Sequence, residues 1–109
     1  MADTLADVIR KIGDSLTELD ILAASPDVSE AEFLAIRRKR RELDRKQLAL
    51  VQASFRESTQ RFQKASAAVA DANEDLQKTI DDVARVAETL AAVSVLIDAA
   101  ESLLSIAIP

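Results

Sequence analysis

The chain has no cysteine, histidine, tyrosine or tryptophan, and its 109 residues include one glycine, two prolines and three phenylalanines. Each absence excludes something. Without Cys there is no disulfide framework, no thiolate zinc cage and no redox clue to compartment. Without His the commonest transition-metal ligand and the usual general base are gone, and with Tyr and Cys also missing the familiar nucleophile and base pairings cannot be built. Carboxylates, lysines and hydroxyls remain, but the acids fall at ordinary exposed helix positions. The expectation is a non-enzymatic protein with no cofactor and no metal site.

What is present points to helices. An apolar content of 49 % with abundant Ala, Leu, Glu, Lys and Arg predicts one all-α domain over residues 1–109. Its core must be aliphatic, which buries little area per residue and would be thin in a monomer. The opening residues carry no basic leader or apolar h-region, and Asp98 and Glu101 interrupt the apolar run toward Pro109. A soluble, cytoplasmic protein is expected.

Leu5, Ile9, Ile12, Leu16, Leu19 and Ala23 recur at helical spacing, predicting a first helix over about residues 4–24 with Asp3 or Thr4 as its N-cap. Gly13 inside it suggests a close helix–helix approach. Ser25-Pro26-Asp27 stops the helix, because proline disfavours the α conformation in the residue before it and has no amide hydrogen. Ser29 and Glu32 have capping-box spacing, so a second helix starts after a turn at 25–29 and the first folds back along it.

From Glu30 to Ile108 neither Gly nor Pro occurs. Within that span every seventh residue from Leu48 is apolar: Leu48, Phe55, Phe62, Val69, Leu76, Val83, Leu90, Ile97 and Leu104. A second row three residues on, including Ala65, Ala72, Val86, Val93 and Ala100, completes a heptad pattern. The pattern predicts a very long helix over about residues 30–107, forming a helical hairpin or coiled coil with the short first helix. The alternative is a compact three-helix bundle with a break near residues 70–74, where Asp71, Asn73 and Asp75 favour a cap or turn. A phase change between Ile36 and Phe55 reads as a stutter in the long helix. A stripe of this length would need a partner, so homo-oligomerisation is expected.

The charges fall in blocks, with net −6 over residues 1–32, +7 over 33–64 and −6 over 65–109. Parallel long helices would set like blocks side by side, so antiparallel pairing is favoured. The basic block is densest at Arg37, Arg38, Lys39, Arg40 and Arg41, followed by Arg45 and Lys46. These seven form a candidate patch for a polyanion or a complementary acidic surface. Five consecutive residues surround a helix instead of forming one stripe, and no aromatics interleave with them, so charge complementarity ranks above nucleic acid. Residues 90–108 carry a broad apolar face suited to a bundle centre, a partner groove or a membrane interface. Nothing basic follows Arg85, which places lipid last.

In length and helix-turn-helix outline the chain is superficially similar to small secreted helical hairpins such as the WXG100 proteins and type III secretion needle subunits. It has no Trp for a Trp-x-Gly turn and turns near residue 26 instead of midway, so nothing carries over from either. The functional expectation is a helical assembly or adaptor protein acting through self-association and partner binding. Nucleic-acid binding through 37–46 and membrane interaction through 90–108 are the alternatives.

Overall fold

Thr4 opens the first helix. Its hydroxyl accepts the Asp7 amide hydrogen at 3.1 Å while the Asp7 carboxylate accepts from the Thr4 amide at 3.2 Å, so two otherwise unpaired donors are satisfied. The computed structural model describes residues 3–109, leaving residues 1 and 2 of the expected domain outside the described part. Four α-helices follow one another: α1 (Leu5–Ala23), α2 (Glu30–Gln52), α3 (Gln60–Gln77) and α4 (Val86–Leu104), the last preceded by a single 3-10 turn at Val83–Arg85. Ser29 and Glu32 start α2 with the same reciprocal box, at 2.9 and 3.1 Å.

The helices pack as a square. α1 lies against α2 and α3, and α4 lies against the same two, so α1 and α4 occupy one diagonal and α2 and α3 the other. At one end of the bundle the Leu5 amide donates to Glu57 at 2.8 Å and the Ile108 amide donates to the Ser54 carbonyl at 2.8 Å. The start of α1, the α2–α3 connection and the segment after α4 therefore meet there, and the chain runs up, down, up, down.

The very long helix does not form. A continuous helix over 30–107 would extend about 115 Å at 1.5 Å per residue, whereas the longest dimension of the molecule is 44 Å. The alternative break near 70–74 is also misplaced, since those residues lie within α3. Breaks occur instead at residues 53–59 and 78–82.

The first break has a packing cause. α2 buries Ile36, Leu43 and Leu50, a seven-residue line whose next member would be the charged Glu57. Instead of burying it, the chain leaves the helix. Thr59 then caps α3 by accepting the Phe62 amide at 3.2 Å, and Phe62, Val69 and Leu76 form a new buried line. At the second break Asp82 accepts from the Ala84 amide at 3.0 Å, and Thr89 donates to the buried Thr79 hydroxyl at 2.9 Å.

The apparent seam is thus divided. Leu48 is 57 % exposed on α2, Phe55 lies half-buried in the first connection, and Phe62, Val69 and Leu76 are buried on α3. Val83 is half-buried in the 3-10 turn. In α4 the buried line shifts by three residues to Val86, Val93 and Ala100 with Leu96 and Leu103, leaving Leu90, Ile97 and Leu104 half-buried at its edge. The nine residues share no single face.

Candidate partner-binding surface

The basic block lies on α2 and separates by direction. Asp20 of α1 faces it: the Arg40 guanidinium donates to Oδ2 at 3.2 Å, and an Arg37 nitrogen lies 3.5 Å from Oδ1. Arg40 also approaches Asp44 at 3.8 Å, Lys39 approaches Glu42 at 3.6 Å, and Lys46 pairs with Glu101 of α4. These bases, Lys39, Arg40 and Lys46 half-buried and Arg37 exposed, tie α2 to its neighbours or to itself. Among the described acids of α1, Asp20 is the one that reaches this block. Asp7 pairs with Arg10 at 3.4 Å, and Glu18 turns toward α3.

The rest points outward. Arg38, Arg41 and Arg45 are exposed and form no ion pair among the described residues. They lie at i, i+3 and i+7, and therefore on one side of the helix. Leu34 and Leu48, 55 % and 57 % exposed, extend the same line at both ends, giving Leu34, Arg38, Arg41, Arg45 and Leu48 at spacings of 4, 3, 4 and 3. Val51 adds a further exposed apolar group beside the lower leucine. The run of five surrounds the helix, as five consecutive residues must, yet adding Arg45 and the two leucines produces a stripe about 21 Å long at 1.5 Å per residue. Its signal was available in the spacing, but recognising it required knowing which bases α1 and α4 engage.

Two other places concentrate polar or concave chemistry. Between α1 and α3, Ser15 is fully buried and its hydroxyl is hydrogen-bonded to the side-chain amide of Asn73. The Gln77 side-chain amide lies between this pair and α1, 3.0 Å from the Ser15 hydroxyl and 2.8 and 2.9 Å from the Glu18 carboxylate oxygens. Partial burial pushes the Glu18 carboxyl upward, and the negative charges of Asp81 and Asp14 push it further the same way. At the foot of the bundle a groove of about 300 Å³ lies between the α2–α3 connection, the first turn of α3 and the segment after α4.

None of the helices is long and apolar enough to cross a membrane, among the described residues, and no cluster of three or more metal-ligating side chains lies among them either. Much of the apolar face of residues 90–108 is internal, with Val93, Leu96, Ala100 and Leu103 buried and Val95 facing outward at 57 % exposure. Comparisons with family models, with characterised proteins and with solved structures found no significant match.

Proposed function

We propose that this chain is a non-enzymatic helical adaptor that holds an acidic amphipathic helix of a partner protein along the outer face of α2. The observation that carries the reading is the uncovered stripe of Arg38, Arg41 and Arg45 bracketed by Leu34 and Leu48. A helix laid along it would set apolar residues on the leucines and carboxylates opposite the guanidinium groups, which bind carboxylates through two parallel hydrogen bonds. Exposed ion pairs contribute up to about 1 kcal/mol each and are screened by salt, so the leucines anchor while the arginines select charge and orientation.

Obligate self-association has lost its main motive. It rested on a long apolar stripe in need of cover, and Phe62, Val69 and Leu76 are covered within the chain. Nucleic acid remains a second reading, because three unpaired arginines on one line also suit a phosphate backbone. The apolar ends of the stripe and the chain's net charge of −5 favour protein.

A synthetic helix of about three heptads, with leucines in its seam and glutamates beside them, serves as the probe. Binding in the micromolar range, weakened about tenfold or more in Arg38→Gln/Arg41→Gln/Arg45→Gln and by raised salt, is the expected outcome. Equal affinity for the triple variant overturns the reading. Retardation of a DNA or RNA duplex at moderate salt, abolished by the same variant while the peptide shows no binding, replaces it with the second.

A further inference from the structure

The foot of the bundle carries a different combination. Phe55 and Phe62 pack ring to ring, with centroids 5.4 Å apart at 49°, and form the apolar floor of the groove together with Ile106 and Ile108. Arg56 and Arg61 line the same groove, and neither side chain has a carboxylate partner among the described residues. The nearby Glu57 is occupied, since one of its carboxylate oxygens accepts the Leu5 amide at 2.8 Å.

Arg61 is also poorly placed for helix stability. It lies in the first turn of α3, where the helix dipole disfavours a cation, and that turn contains no acid to offset it. Two guanidinium groups without an ion-pair partner beside a concave aromatic and aliphatic surface call for a ligand that is anionic at one end and apolar along the rest.

We propose that this groove binds a single-chain alkyl carboxylate, with its chain against Phe55, Phe62, Ile106 and Ile108 and its carboxylate between Arg56 and Arg61. The site is separate from the outer face of α2 and draws on none of its residues. The apolar lining supplies the chain contact, while the two guanidinium groups set the sign of the head group.

The probe is sodium decanoate below its micelle concentration, with the cationic decyltrimethylammonium as control. Calorimetry and the ring-proton shifts of Phe55 and Phe62 provide the readouts. One saturable site with both rings shifting, about tenfold weaker or more in Arg56→Gln/Arg61→Gln and weaker for the cation, is expected. Both substitutions are at exposed positions, and circular dichroism verifies that the variant retains its helices. Absence of saturable ring shifts, equal binding of the cationic amphiphile, or undiminished binding by the folded double variant would each overturn the proposal.

Discussion

Ser29 illustrates how much one side chain decides. Its hydroxyl accepts the Glu32 amide at 3.1 Å, and the Glu32 carboxylate in turn accepts the Ser29 backbone amide, so Ser29→Ala leaves the Glu32 amide without its acceptor at the start of α2 while the reciprocal bond can persist. A loss of about 1 kcal/mol in denaturant unfolding is expected, the ordinary cost of removing such a cap. Glu18 responds to pH instead. Its folded carboxyl titrates above the unfolded value, so the folded state holds more protons across that window. Its contribution is fully present below the unfolded carboxyl value and is lost as pH rises through the raised folded value. Melting temperatures of wild type and Glu18→Gln, measured from neutral to acidic pH, should therefore shift in favour of wild type as pH falls. Asp7 acts in the opposite sense. Hydrogen bonds from the Thr4 backbone and hydroxyl hold its carboxyl below the usual range, so its contribution is present above the unfolded value and disappears as pH falls through the lower folded one. A difference between wild type and Glu18→Gln that stays constant with pH would remove the assigned role of Glu18.

At the scale of the helix, Leu43 and Leu48 make the sharpest contrast. Both are leucines of α2, but Leu43 is fully buried on the inner line and Leu48 stands 57 % exposed on the outer stripe. Leu43→Ala should cost about 2–5 kcal/mol, the range for a deleted core leucine, whereas Leu48→Ala should change stability by less than about 0.5 kcal/mol. The two unfolding curves decide whether the heptad through Leu48 belongs to the core. The starts of α1 and α2 and the first turn were legible because their chemistry is local: Thr4 as a cap, Ser29 with Glu32, and Pro26 each act within a few residues. The later turns were not. Residues 53–59 and 78–82 contain neither Gly nor Pro, and no described residue adopts positive φ, so their only local marks are the caps Thr59 and Asp82, which the unbroken apolar heptad overrode. They are held by distant partners, among them Leu5 on Glu57 and Ile108 on Ser54. The available warning was the phase change after Leu50, which read as a stutter although it marks a helix end. The basic patch was legible as a concentration of charge. Its division into engaged and outward bases became visible only with Asp20 and Glu101 in place.

Over the whole molecule, one pattern of apolar residues admits two solutions. A long helix would leave its stripe for another chain to cover, while four shorter helices cover most of it themselves. The structure takes the second, and it leaves the Leu34–Leu48 line on α2 as a continuous mixed face of exposed leucine and unpaired arginine. Charges on that line influence association more than folding. Replacing Arg38, Arg41 and Arg45 with Gln should leave the unfolding midpoint nearly unchanged while weakening capture of an acidic helix. Whether the chain closes its own core is tested most directly by light scattering combined with small-angle X-ray scattering at micromolar concentration. A mass near 11.8 kDa, with a longest dimension near 44 Å, is expected. A dimeric or larger mass, or a particle about 100 Å or more in length, would mean that the seam is covered between chains after all.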